Sequence, residues 1–419
     1  MTKILLSIIV LISICSVNTP ALGMNNSKIK LGIDVLIESN FEQLKGMRVA
    51  LLTNHAGRTG SGELTIEAFL NTNSCTITTL LTPEHGFYTT VPAGDHVKND
   101  ELFNLPAISL YGANRRPKHK HLESCDVVVI DLQDIGIRSY TYISTMYKTM
   151  DACADFGKKV IILDRPNPLG GMIVDGNTVE PGKETFVGII PVSYIHGCTV
   201  GELAKMINNE GWLPKDYDGN SRQCDLTVIK MEKWERWMAW EDTGLLWFPT
   251  SPHIPTVNAV RGAAMLGIVG ELSVTSIGIG TTLPFQYIGS PYIKPELVEK
   301  ELKQLSYQGV NLVPVRYRPF YGMYRGKDCN GWLLSFPLDN LFAPYTTGLE
   351  IMLAYRKAYP KYFTSKNIKK NSRIMFQKVT GTADLFKALM DGGSDEEVMR
   401  LARKGIEDYL PIRENYLLY

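Results

Sequence analysis

An apolar run, CTITTLL (75–81), is followed at once by Thr82-Pro83-Glu84-His85-Gly86. A carboxylate and an imidazole side by side at a strand end either cap a turn or do chemistry. The same pattern recurs along the chain. RVALLT (48–53) ends in Asn54 and His55, and DVVVIDLQD (126–134) carries Asp131 and Asp134, with Arg138 beyond. KKVIILDRPNP (158–168) delivers Asp164, Arg165 and Asn167, and His196 stands just before a helix start. Taken singly, such residues are more often turn caps, core histidines and structural ion pairs. Their convergence on one sheet edge points to a site, because ligands of parallel α/β sheets bind beyond the carboxyl ends of the strands.

The residue types narrow the chemistry. No GxGxxG follows the first strand and no GxxxxGK[ST] is present, which argues against dinucleotides and nucleoside phosphates. The GxSxG elbow of serine acyl transfer is also missing. His55, His85 and His196 have the chemistry of zinc ligands but no HExxH or comparable short spacing, so neither a metal nor any other cofactor is expected. Carboxylates and arginines remain. Paired carboxylates cleave glycosidic bonds, one as acid and the other as base, nucleophile or electrostatic support. Glu84 precedes a glycine that lets backbone approach a ligand. Arg138 and Arg165 offer forks for an acidic substrate group, and Tyr111, Tyr140 and Tyr142 offer faces for a sugar ring. Asn54, His55, His85, Arg138, Tyr140, Asp164, Arg165, Asn167 and His196 are the candidate substrate contacts.

The elements that must position these residues are legible from periodicity. Between about 30 and 225, apolar runs without alternation are separated by helix-like segments. That is the signature of a parallel sheet covered on both faces. Ile143, Met146, Tyr147, Met150 and Ala154 share a helical face, with Gly157 as a stop. Thr199 and Glu202 form a capping box for a helix bearing Val200, Leu203, Ala204 and Ile207. Residues 225–260 hold a cluster of tryptophans and the irregular FPTSPHIPT, a junction or a loop over a cleft. Beyond it KPELVEKELKQL and LEIMLAYRKAY read as helices, and a last helix is capped by Ser394 and Glu397, with Val398, Leu401, Ala402 and Ile406 inward. The expectation is an α/β fold: a Rossmann-like parallel-sheet catalytic domain at 28–235, and a smaller C-terminal α+β domain at 236–419 closing the cleft.

Composition fits an ordinary globular chain: of 419 residues, 44% are hydrophobic and 21% charged, with a formal net charge of +1. No global field favours nucleic acid or an anionic membrane surface. Lys3, the short apolar run ILLSIIVLISI and the small residues Ala21 and Gly23 read as an export signal over 1–23. Its removal places the mature protein in the periplasm or outside the cell, with no integral membrane segment. Six cysteines then remain, widely spaced, and read as small core residues rather than disulfides.

LTPEHGF, LYGANRRP, DLQDIGIRSYTYISTM, LDRPNPLGG and HGCTVGELA, in that order, resemble DUF1343, the family of NamZ-type exo-β-N-acetylmuramidases (glycoside hydrolase family 171). The likeness continues through LLWFPTSPHIPT, GTTLPFQYIGSPYI and the closing ENYLLY. It implies a Rossmann-like domain with a smaller partner domain. It also implies release of N-acetylmuramic acid from non-reducing ends of peptidoglycan fragments. The PEHG glutamate, here Glu84, becomes the expected catalytic acid, with Asp131 and Asp134 as candidates for the second group. A carboxylate that only orients the substrate's own 2-acetamido nucleophile stays open. Three departures stand out: Gly278-Ile279-Gly280-Thr281 where relatives carry GRGT, Phe87-Tyr88-Thr89-Thr90 after PEHG, and SPHIP at His253 in place of SPN. The lost arginine leaves room for an alternative, a non-catalytic envelope protein that captures muropeptides.

Overall fold

The computed structural model describes residues 28–303, 309–337 and 342–419; the expected export signal lies outside them. Seven strands form the main sheet: β1 (Arg48–Thr53), β2 (Thr76–Thr82), β3 (Asp100–Leu102), β4 (Leu105–Ser109), β5 (Val127–Asp131), β6 (Lys159–Leu163) and β7 (Leu226–Ile229). Their order is β3-β4-β2-β1-β5-β6-β7, parallel throughout except for the antiparallel edge strand β3. The chain winds outward from β1 through β2 to β4, then returns to β5 on the other side of β1. The strand order therefore reverses between β1 and β5, a switch point of the kind that opens a crevice at the carboxyl ends.

Helices α1 (Gly32–Glu38), α2 (Thr65–Leu70), α3 (His119–Leu122), α4 (Thr141–Phe156) and α5 (Val200–Asn209) accompany the sheet. Strand β5 shows why its run is unbroken. Val127 and Val129 pack with Ile33, Leu36, Ile66 and Phe69 of α1 and α2. Val128 and Ile130 pack with Ile143 and Met146 of α4 and Leu203 and Ile207 of α5. Each such side chain, fully buried, contributes about 1.5–3 kcal/mol. The predicted helix ends hold. Gly157 takes φ 61° and its N–H returns to the Cys153 carbonyl. Thr199 Oγ1 accepts from the Glu202 N–H at 3.2 Å while Glu202 accepts from the Thr199 N–H at 2.9 Å.

The rest of the chain forms α6 (Val257–Glu271), β8 (Tyr287–Ser290), α7 (Pro295–Leu302), β9 (Asn311–Tyr317), β10 (Cys329–Ser335), α8 (Pro344–Ala358), α9 (Lys370–Thr380), α10 (Asp384–Met390), α11 (Asp395–Ala402) and α12 (Ile406–Glu414). Strands β8-β10-β9 make a three-stranded antiparallel sheet. Its core joins α6 and α8 with Trp332, Phe376 and Leu389. The last predicted helix is in fact two. Ser394 caps α11 as expected, but Gly405 at φ 84° breaks the chain, so Ile406 begins α12 instead of completing the inner face of α11. Cys75, Cys125, Cys153, Cys198, Cys224 and Cys329 are all free and buried. No helix among the described residues is long and apolar enough to cross a membrane.

Candidate active site

A cavity of about 640 Å³ opens between the carboxyl edge of the sheet and the second core, and Glu84, His85, Tyr111, Tyr140 and Thr141 line one wall. That volume is typical of a small-molecule site. The turn after β2 is tightly wound, with positive φ at His85, Gly86 and Thr89, and it is held from below by His55 N–H donating to the Phe87 carbonyl at 2.6 Å. Glu84 is 5% exposed. One carboxylate oxygen accepts the Gly94 N–H at 2.9 Å and the other accepts the Thr141 hydroxyl at 2.6 Å. Thr141 is the first residue of α4, so the carboxylate sits at the positive end of a 16-residue helix. Every partner donates, which is how an ionised carboxylate is held. The nearby Tyr111 phenol is pushed up to about 12, chiefly by burial and then by the Glu84 charge.

His85 Nδ1 lies 2.7 Å from the Val91 carbonyl and so carries the proton. Burial holds the ring below its ordinary pKa. The neutral tautomer leaves Nε2 as an acceptor. Tyr140 donates to the Thr250 hydroxyl at 2.8 Å, which fixes its ring. The opposite wall brings Ser251, His253, Thr275, Ile279, Glu271 and Lys378. Arg115, exposed, stacks its guanidinium 4.3 Å from the Phe186 ring centroid and 5.5 Å from that of Tyr111.

The remaining candidates are built into the scaffold, and several expectations need correction. Asp131 is fully buried and grips Arg165 through both oxygens, at 2.5 Å to Nε and 2.7 Å to Nη2, while also accepting the Thr65 hydroxyl. Neither member lines the cavity. Arg165 therefore does not hold a substrate acid, and Asp131 is not placed to act as the second catalytic group. Arg138, 1% exposed, gives Nη1 to the Asn177 and Val192 carbonyls at 2.5 and 2.8 Å. Its Nη2 goes to the Val379 and Thr380 carbonyls at the end of α9, at 3.1 and 3.0 Å. Its positive charge meets the negative pole of that helix, and burial lowers its pKa to about 10. It too is spent on structure.

Asp164 accepts the Arg165 and Gly201 N–H groups at 3.0 and 2.8 Å. It also accepts the Thr199 and Tyr419 hydroxyls at 2.8 and 2.7 Å. Burial still pushes it up to about 6. Its work is to seat the N-terminus of α5 and the chain end. A Cβ on Gly201 would stand 2.8 Å from the Asp164 carboxylate and 2.6 Å from Val228. Gly201→Ala is therefore expected to lose about 1–3 kcal/mol in chemical denaturation, although alanine is the better helix former. Asn167 bonds the Leu169 N–H and the Cys198 carbonyl. Asn54 bonds the Ala56 N–H and the Tyr142 hydroxyl, and Tyr142 in turn donates to the Thr250 carbonyl from full burial, away from any sugar. His55 contacts Arg58 at 2.7 Å. His196 accepts the Cys198 N–H at Nδ1, so Nε2 carries the proton and faces Asp134 at 3.5 Å. Asp134, whose other oxygen has no partner among the described residues, does not line the cavity. Among the described residues no cluster of three or more His, Cys, Asp or Glu could hold a metal ion.

Of the sequence candidates, then, Glu84, His85 and Tyr140 meet in the cleft. Thr141 and Arg115 lie inside blocks singled out in the sequence, beside the tyrosines already chosen. Glu271 carries no such signal, being the last residue of an apolar helix.

Comparison with known proteins agrees with this architecture. Residues 49–258 match the family described as exo-beta-N-acetylmuramidase NamZ, N-terminal, and residues 264–419 match its C-terminal counterpart. The chain is 34% identical, over 94% of its length and 92% of the relative's, to the peptidoglycan beta-N-acetylmuramidase NamZ of Bacillus subtilis (strain 168). A crystal structure of a DUF1343 family protein from Bacteroides fragilis NCTC 9343 superposes with a TM-score of 0.86 at 36% identity, covering 93% of this chain and 99% of that one. A second DUF1343 protein of that organism gives 0.70 at 28% identity, covering 94% and 99%. Matched along nearly its whole described length, the chain belongs to the NamZ exo-β-N-acetylmuramidase family, whose solved members carry the name DUF1343.

Proposed function

We propose that the chain is an exo-acting glycoside hydrolase that releases N-acetylmuramic acid from the non-reducing ends of peptidoglycan fragments. The observation that carries this is the Glu84 carboxylate, held by donors alone in a cavity with aromatic walls and one stacked, exposed guanidinium. Tyr111 and Tyr140 suit a sugar face. Muramic acid differs from other amino sugars by its lactyl carboxylate, and Arg115 takes the place that Arg138 and Arg165 vacate as its partner. Incubation of the mature protein with a chromogenic β-muramide and a muramyl-terminated disaccharide tests the reading; release from neither, beside an active relative, overturns it. Arg115→Gln is expected to raise KM on the disaccharide about tenfold, the worth of one exposed charge-assisted contact. A substrate with its lactyl carboxylate amidated is expected to lose nothing further.

Ile279 favours a second reading, because it lines the cleft where the family pattern carries arginine. Tight calorimetric binding of muropeptides without product would mark a capture protein instead. Either activity belongs outside the cytoplasm, with residues 1–23 acting as an export signal. N-terminal sequencing of the secreted protein is expected to begin at Met24, and an intact Met1 start in the envelope fraction would refute cleavage.

A further inference from the structure

With Asp131 paired to Arg165, and neither it nor Asp134 lining the cavity, the second carboxyl of the cleft has to come from elsewhere. Glu271 is the one other acidic residue among the described cavity-lining side chains. It is the final residue of α6, and it is half-buried. Among the described residues no side-chain hydrogen bond or ion pair to it is found. Its setting is the reverse of that of Glu84. One carboxyl rests at the positive pole of α4 with donors to both oxygens; the other sits at the negative pole of α6 with none. At the second position the helix's own negative pole and burial both work against a charged carboxyl. The last turns of α6 pack closely through their glycines: a Cβ on Gly267 would stand 3.1 Å from the Tyr194 hydroxyl, and one on Gly270 would stand 2.3 Å from Ile277.

From this pairing we infer that Glu271, in place of the Glu84 that the family resemblance implies, is the proton donor of the hydrolysis, with Glu84 as its charged partner, an assignment that rests on the proposed glycosidase reading. The Glu271 carboxyl passes its proton to the glycosidic oxygen as the C1–O bond breaks, and the leaving sugar departs as a neutral alcohol. Glu84 stays charged and opposes the positive charge that develops at the anomeric carbon. Water then adds to C1 and returns a proton to Glu271, so the net change is one water consumed per bond cut. Two carboxyls in unlike settings, one held by donors and one without partners, are the usual mark of such a division of labour. Burial also raises the Glu271 pKa to about 7. The titratable groups sharing its cavity are Glu84, His85, Tyr111, Arg115, Tyr140, Tyr194, His253 and Lys378.

The test is Glu271→Gln on two substrates, a muramyl disaccharide and a dinitrophenyl muramide whose leaving group needs no proton. The expected result is a loss in kcat of about 100-fold or more on the disaccharide and less than about tenfold on the aryl substrate. The basic limb of the pH profile should disappear with it, while Glu84→Gln loses both activities. Equal losses on both substrates, or none on the disaccharide, would overturn the assignment while leaving the hydrolase reading intact. Silence of the wild type on both would overturn the hydrolase reading and this assignment together. Melting curves give a readout free of turnover. A carboxyl with a raised folded pKa costs stability above that value and regains it as pH falls. Glu271→Gln should therefore melt above the wild type at about pH 8 and together with it at about pH 4. A constant difference across that range would also overturn the assignment.

Discussion

Glu84→Gln is expected to cut turnover by about 10²–10⁴-fold while leaving the fold and the affinity for free N-acetylmuramic acid nearly unchanged. The glutamine is isosteric: its Oε1 can still accept the Gly94 N–H, and its amide NH2 can donate to the Thr141 hydroxyl oxygen where the carboxylate accepted from it, so the turn after β2 keeps its shape. What it lacks is the negative charge beside the sugar, while the contacts that recognise the sugar stay in place. Single-turnover rates paired with calorimetry of the product separate the two contributions. Retained turnover would mean that the reacting carboxylate lies elsewhere in the cleft, and lost binding would mean that Glu84 serves recognition instead of chemistry.

Asp131→Ala is expected to act on stability. It would leave the Arg165 guanidinium buried, 4% exposed, with only the Arg58 carbonyl as a partner. Breaking a buried pair from one side costs about 3–5 kcal/mol, to be read from the denaturant midpoint of the purified protein. The double substitution Asp131→Ala with Arg165→Met is expected to recover part of that loss, since no unpaired charge then remains. Turnover per folded molecule should stay close to the wild type. If Asp131→Ala instead kept full stability and lost its activity, Asp131 would belong to the chemistry.

The contrast between Glu84 and Asp131 shows what the sequence could and could not tell. Both follow apolar parallel strands, and the strand-end rule put both on the correct edge. It does not say which way each points. Alternation along β5 does part of that work: Val127, Val129 and Asp131 share one face, the face covered by α2, where Thr65 waits. Glu84 escapes this because the chain has left the strand and turned through positive φ before its neighbour His85. Arg138 misled for another reason. A fork next to a site is as useful for clamping carbonyls as for gripping a ligand, and the carbonyls of Val379 and Thr380 lie far away in the sequence. Glu271 was illegible because nothing local distinguishes a helix-ending glutamate that faces a cleft from one that faces water. The parallel sheet, the α4 stop and the α5 capping box were plain, since each depends on neighbours a few residues away.

The four carbonyls around Arg138 carry a kinetic consequence. Val379 belongs to the wall of the cleft, and Asn177 and Val192 belong to segments that follow the main sheet's β6. A hinge that swung α9 outward to admit a long glycan would strip two acceptors from a buried cation. Such a motion is too costly to occur in every catalytic cycle. The jaws are in effect riveted, so the enzyme works as a fixed gauge that admits chain ends of one cross-section. Its on-rates should be insensitive to solvent viscosity beyond simple diffusion, and its free and product-bound forms should superpose closely.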